Sequence, residues 1–361
     1  MLSLALACVL LPWAQEPPPR PRAREAGIVF GHLQSGAHNA ITDVPGVLVG
    51  HTTLHEGDHI RTGVTVILPH GGNLHQHRVP AAIHIMNAYG KLFGSTQVVE
   101  LGEIESPIAL TNTLNVGSVA DALVGYMLEQ EGNEDLASVN VLVGETNDGY
   151  LNDIRGRHVK AAHVRAALAG AHSGPVEEGC VGAGTGTICF GWKGGIGTAS
   201  RKVGEYTVGV LVQSNFGGEL RIAGIEMRDL RPGTRRREED EDGSCMIIIA
   251  TNAPLDSRNL LRLAKRAPAG MARIGATFSN GSGDYVIAFC TAESLRIPAG
   301  AKQAGGVVLT NAAMSPLFRA VIDATEEAIL NSLFQAKSTE GRDAHRIEAL
   351  PIAEVMARLG K

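Results

Sequence analysis

Short apolar or alternating runs, bounded by glycine and proline, recur along the chain: VPGVLVGHT, TGVTVILP, SPIALTN, VNVLVG, YTVGVLVQ, CMIIIAT, GDYVIAF and AGGVVLT. Their period of two, or their unbroken apolar character over strand length, predicts eight strands. Between them, apolar positions at three-to-four spacing predict helices over residues 79–92, 117–131, 157–171, 256–267 and 315–336. In the last of these Leu317, Phe318, Val321, Ile322, Ala328, Ile329 and Leu333 form the buried stripe, with Ser315 as N-cap and Pro316 at the first helical position. Some strands follow one another with no helix between. That irregularity argues against a Rossmann fold or a TIM barrel and predicts a layered α/β protein with a mixed sheet.

Two stretches fall outside this pattern. The N-terminus MLSLALACVLLPWAQEPPPRPRARE has an apolar run too short to span a bilayer, then a Pro/Arg-rich stretch. It reads as an export signal and linker over residues 1–20, placing the protein in the periplasm or outside the cell; the alternative is a mis-assigned start and a cytoplasmic protein. The second is residues 231–242, a charged run between two core-like sequences. One domain over 21–361, carrying an exposed internal loop, accounts for both.

Composition narrows the function. A net charge of -5 and a pI near 6.2 argue against a nucleic-acid partner. Cys180, Cys189, Cys245 and Cys290 show no CxxC and no regular spacing, so they read as small buried hydrophobes and not as a disulfide framework or zinc ribbon. His75, His77 and His84 lack a nearby carboxylate and make a weak zinc set. The run GAGTGTICFGWKGGIGTASR departs from the GxxxxGK[ST] order of a phosphate loop and reads as a close-packed glycine turn supplying amide donors.

Four places offer chemistry. Asn215 directly follows a strand, where its amide can donate to a developing oxyanion, a donor worth ~3–4 kcal/mol in a serine hydrolase. GETNDGYLNDIRGR gathers Glu145, Asn147, Asp148 and Asp153 into one polar loop suited to a substrate cation. Ser282 and Asp284 lie two apart on an extended segment and so point the same way. Finally, the charged run ends at Gly243-Ser244 and gives way at once to an apolar strand. A peptide bond there can be attacked by the Ser244 hydroxyl; the new α-amine, with a pKa of about 7.7–8.0, then assists as base. Local pattern alone favours an ordinary loop-to-strand boundary.

Taken in order, NAITDVPGVLVGHTT, TGVTVILP, SPIALTNTLNVGSVADAL, GETNDGYLNDI, EGCVGAGTGTICFGWKGGIGTASR, VGVLVQSNFG, DGSCMIIIATNAPL, RLAKRAPAGMARIGATFSNGSGD and NSLFQA resemble the DmpA-like D-aminopeptidase and β-aminopeptidase family of self-processing N-terminal serine hydrolases. The resemblance implies an αββα sandwich with Ntn-hydrolase-like layers but distinct connectivity, autocleaved into segments 21–243 and 244–361. It implies Ser244 as nucleophile after cleavage at Gly243, Ser282 and Asp284 managing its proton, Asn215 stabilising the oxyanion, and Glu145 receiving the substrate ammonium. Neither metal nor cofactor is implied. Expected substrates are short peptides or aminoacyl amides and esters with a free amine, and the expected assembly is an oligomer of αβ heterodimers.

Two departures bear on specificity: Asn147 stands where relatives often carry an aromatic, and Asn252 where Asp is common. Two other readings stay open. An acyltransferase of the ornithine acetyltransferase type would carry Thr at the new N-terminus, where this chain has Ser. An unprocessed small-ligand-binding protein of the same fold would keep its chain intact.

Overall fold

A computed structural model describes residues 19–230 and 243–361. Most of the N-terminal export segment and the charged loop therefore lie outside the described residues. Nine strands carry the architecture: Leu48–Glu56 (β1), Ile60–Leu68 (β2), His77–Ala88 (β3), Ile108–Asn112 (β4), Leu142–Thr146 (β5), Gly195–Val203 (β6), Tyr206–Asn215 (β7), Ser244–Thr251 (β8) and Gly283–Cys290 (β9). The helices are Ser95–Leu101 (α1), Val116–Leu128 (α2), Ala161–Ala169 (α3), Ser257–Ala264 (α4), Ala267–Arg273 (α5), Met314–Gln335 (α6) and Ile352–Arg358 (α7).

The strands form two sheets. One has the order β1-β2-β4-β5 with the two-residue strand Leu92–Phe93 at its edge; the other runs β6-β7-β8-β9-β3, with Ile297–Pro298 and Glu103–Ile104 both pairing β3. Among the described residues only β4/β5 and β8/β9 pair in parallel. Side-chain alternation assigns each face to a core. On β8, Cys245, Ile247 and Ile249 enter the cluster under α4, α5 and α6, while Met246, Ile248 and Ala250 enter the cluster between the sheets. On β2, Ile67 faces the inter-sheet core, and Val64, Val66 and Leu68 face a third cluster under α2 and α3. Helix, sheet, sheet, helix: the expected αββα sandwich is the fold.

Four local expectations change. Residues 79–92 are not helical; most of them belong to β3, which contributes Val79, Ala81 and Ile83 to one core and Ala82 to another. AGGVVLT is not a strand but an exposed irregular segment, with Gly305 at φ +146° and Val307 89% exposed. GIGTASR, read as part of a glycine turn, belongs to the strand β6. The long helix begins at Met314, run into directly by the 3-10 turn Asn311–Ala313, so Ser315 is not its cap. Helix α4 is capped by Asp256, whose side chain accepts from the Asn259 amide.

The N-terminal segment is tied into the domain. Arg20 donates to the carbonyls of Phe334 and Leu350, so the folded unit takes in this residue, and Ala23 donates to Asn331 on α6. Beneath it, the fully buried Glu327 carboxylate pairs with Arg24 (2.7 Å) and with the fully buried Arg201 (2.5 Å), and also accepts from Asn39.

Candidate active site

Strand pairing brings the site together. Because β7 and β8 are antiparallel, the last residue of one, Asn215, lies opposite the first of the other, Ser244. Because β8 and β9 are parallel, Ser244 is also in register with Gly283, and Gly283 in turn with Ala88 at the end of β3. From the facing sheet β5 delivers Glu145. Ser244, Asn215, Glu145 and Asn147 all line one cavity of about 310 Å³, whose wall also includes Tyr89, Gly90, Tyr150 and Gly243.

Glycines make the close approaches possible. A Cβ on Gly243 would fall 2.1 Å from the Asn215 carbonyl oxygen, so no other residue fits there without moving the chain. A Cβ on Gly283 would lie 2.5 Å from the Gly90 nitrogen and 3.1 Å from Ser244 Oγ; one on Gly90 would lie 3.1 Å from Glu145 Oε1. The nucleophile candidate and the carboxylate are thus separated by the bare backbones of Gly283 and Gly90. The Gly243 carbonyl, on the bond preceding Ser244, accepts from the Gly283 amide at 2.9 Å.

Each polar side chain is held. Glu145, 2% exposed, accepts from the Lys91 amide (2.9 Å) and from the Thr113 hydroxyl. Asn215 accepts at Oδ1 from the Ile188 amide at 2.9 Å. Ser282 and Asp284 are buried, Ser282 just before β9 and Asp284 in register with Cys245; neither is part of the cavity lining, to which this segment contributes Gly281. Burial pushes the Asp284 carboxyl up to about 6, opposed in part by the Ser282 hydroxyl and the Cys245 amide. Asn147 stands at the rim, its Oδ1 accepting from the Gly149 amide. Asn252 is remote, at the far end of β8, accepting from the Thr207 amide.

Sequence reasoning missed part of the wall. Tyr150 lies inside the quoted GETNDGYLNDI motif and supplies an aromatic three residues after Asn147, stacked on His345 at 4.3 Å. Tyr89, Gly90, Lys91 and Thr113 carried no signal, because loops following β3 and β4 bring them in. Among the described residues no group of three or more His, Cys, Asp or Glu side chains converges as a metal site. His70 instead binds the His77 carbonyl oxygen through Nε2. Cys180, Cys189, Cys245 and Cys290 form no disulfide among the described residues; all are buried except Cys180, which is partly exposed.

Two facing sheets between helical layers, with a serine opening a central strand beside an amide and across from a buried carboxylate, place the chain in the class of Ntn-hydrolase-like folds. It belongs to Peptidase family S58, whose model matches residues 39–347. The chain is 42% identical to the β-peptidyl aminopeptidase BapA of Sphingosinicella microcystinivorans, over 94% of its own length and 92% of that protein's. Among solved structures it resembles a Burkholderia sp. β-aminopeptidase (43% identity, TM-score 0.86, covering 94% of this chain and 98% of that one). It also resembles the L-aminopeptidase D-Ala-esterase/amidase of Ochrobactrum anthropi (36% identity, TM-score 0.87, the same coverages), described as a prototype serine aminopeptidase and a new variant of the Ntn hydrolase fold.

Proposed function

We propose that this protein is a self-processing aminopeptidase. It cuts its own chain between Gly243 and Ser244, then releases N-terminal residues from short peptides, amides or esters through an acyl-enzyme on Ser244. The observation that carries this reading is the one cavity lined by both Ser244 and Glu145, with the backbones of Gly283 and Gly90 packed closely beside them. A substrate amine on the carboxylate then leaves the adjacent carbonyl within reach of the serine.

In the first reaction Ser244 Oγ attacks the Gly243 carbonyl carbon, losing its proton to the Ser282–Asp284 pair. The Gly243 carbonyl already accepts from the Gly283 amide, which is where the oxyanion forms. The C–N bond breaks, the nitrogen takes the proton, and water hydrolyses the resulting ester, leaving a carboxylate on Gly243 and a free α-amine on Ser244. In the second reaction that amine, with an ordinary pKa of about 7.7–8.0, accepts the proton of its own hydroxyl. Glu145 pairs with the substrate ammonium, and the Asn215 NH2 and the vacated Gly283 amide receive the oxyanion. The leaving amine takes the proton, and water releases the acyl group.

Export through residues 1–20 and assembly of αβ units belong to the same proposal. Exposed Phe93, Val99 and Leu101 are side chains that an interface between units would cover. A p-nitroanilide panel of α-L, α-D and β-aminoacyl groups assigns the preference set by Asn147, Tyr89 and Tyr150. Denaturing gels with intact mass test the first step: wild type yields segments ending at 243 and beginning at 244, and Ser244→Ala stays whole. An unsplit wild type, or a split Ser244→Ala chain, refutes it.

A further inference from the structure

The lysine of the glycine-rich run plays no part in these reactions, yet it is the most completely caged charge near the site. Lys193 is 0% exposed, and its ammonium donates to the carbonyls of Gly184 (3.0 Å), Thr187 (2.9 Å) and Gly194 (2.9 Å). An ammonium has three donors and no acceptor, so the cage is complete. Burying such a charge is costly unless it is fully hydrogen-bonded, and a glycine turn packs without one. The turn that Lys193 closes carries Ile188, its cross-strand partner, and the Ile188 amide donates to Asn215 Oδ1 at 2.9 Å. A primary amide has one accepting end and one donating end. Pinning the oxygen on Ile188 leaves the NH2 as the end available to the cavity that Asn215 lines beside Ser244.

We propose that Lys193 is a positioning residue for the oxyanion donor: its cage holds the 184–194 turn so that the Ile188 amide fixes Asn215 with its NH2 toward Ser244. This rests on Asn215 acting as oxyanion donor, as read above. The charged and titratable groups facing Lys193 are Cys180, Asp148 and Cys189, all of which favour its ammonium, while burial lowers its pKa overall. Asp148, itself raised to about 7 by burial, is held by Asn152 on the loop carrying Asn147. Loss of the ammonium proton turns a lone pair onto a carbonyl oxygen and loosens the turn.

The test is a double-mutant cycle on the processed enzyme, with kcat and KM measured on the best p-nitroanilide of the panel and rates normalised to Ser244 N-termini. Lys193→Met is expected to lower kcat by up to the roughly 10²–10³-fold that loss of an oxyanion donor costs, with KM within about twofold. In an Asn215→Ala background it is expected to cost nothing further. If Asn215→Ala keeps the wild-type kcat, the oxyanion reading and this inference fall together. If Asn215→Ala is impaired and Lys193→Met costs a further factor in that background, this inference alone falls. Should Lys193→Met fail to fold, the wild-type pH profile decides. An alkaline loss of kcat at constant KM, centred below the ordinary lysine value of about 10.4, supports the proposal, and a flat kcat up to that pH overturns it.

Discussion

Asp284→Asn is expected to stabilise the protein while impairing it, and the gain should depend on pH. The Asp284 carboxyl is fully buried, and its pKa rises from 3.8 to about 6 with desolvation as the leading cause. An acid whose pKa is raised by folding holds its proton more tightly in the folded chain, so between pH 3.8 and about 6 the native state binds more protons than the unfolded one, and stability falls as pH rises. At ~1.4 kcal/mol per pH unit the full penalty is about 3 kcal/mol, complete above pH 7 and absent well below pH 3.8. Asparagine keeps the shape and removes the ionisation. Urea unfolding in a Ser244→Ala background, at one protein concentration, keeps the reaction to a single uncut chain. The stability difference between Asp284→Asn and its parent should grow by about 2–3 kcal/mol from pH 4 to pH 8. Asp148 and Glu178, both raised to about 7, are present in both chains and cancel. A difference that stays constant over this range, or shrinks with pH, refutes the claim that an ionised carboxylate is being held there at a cost.

Three further outcomes follow from the same geometry. Glu145→Gln keeps one accepting oxygen for the Lys91 amide and turns its NH2 to the Thr113 hydroxyl, which can accept in its place, but loses the charge, so KM for free-amine p-nitroanilides should rise about ten- to hundredfold, the worth of a charged hydrogen bond, with a smaller change in kcat. Gly243→Ala puts a Cβ 2.1 Å from the Asn215 carbonyl, so the chain should remain whole on denaturing gels while circular dichroism shows it folded. Glu327→Ala strands the fully buried Arg201 without its acid and should cost about 3–5 kcal/mol in urea unfolding of the Ser244→Ala chain.

The sequence made the inter-sheet strands legible where both faces are apolar and turns bound them, and failed where a neighbour dictates the backbone. β6 was hidden by its glycines, yet Gly197 is glycine because a Cβ there would fall 2.0 Å from the Ala328 carbonyl of α6. The glycine that looks like a turn is the groove in which the longest helix lies. β3 was read as a helix because Val79, Ala82, Ile83 and Met86 also fit a three-to-four spacing; with cores on both faces its period of two is masked. AGGVVLT has strand composition but no partner strand among the described residues, and composition alone does not supply one. At the site, the residues that project chemistry were readable from motifs. The groups that hold them were not: the Lys91 amide, the Thr113 hydroxyl and the Ile188 amide are backbone or loop contributions whose position exists only once the sheets pack.

The same packing bears on what a cut between Gly243 and Ser244 would do. The segment after the cut contributes β8 and β9, and neither lies at an edge: β8 sits between β7 and β9, and β9 between β8 and β3, so each has a strand of the preceding segment at its side. Its long helix α6 packs on β6 and β7 and is strapped by Arg20, Ala23 and Arg24. Separating the two segments would require unpairing both sheet contacts and exposing the inter-sheet core together with that under α6. That is the free energy of unfolding, not of a surface dissociating. A chain break at this position therefore changes the chemistry of two residues, giving Ser244 a free amine and Gly243 a carboxylate, while the sheet that aligns Ser244 with Asn215 and Gly283 stays as it was.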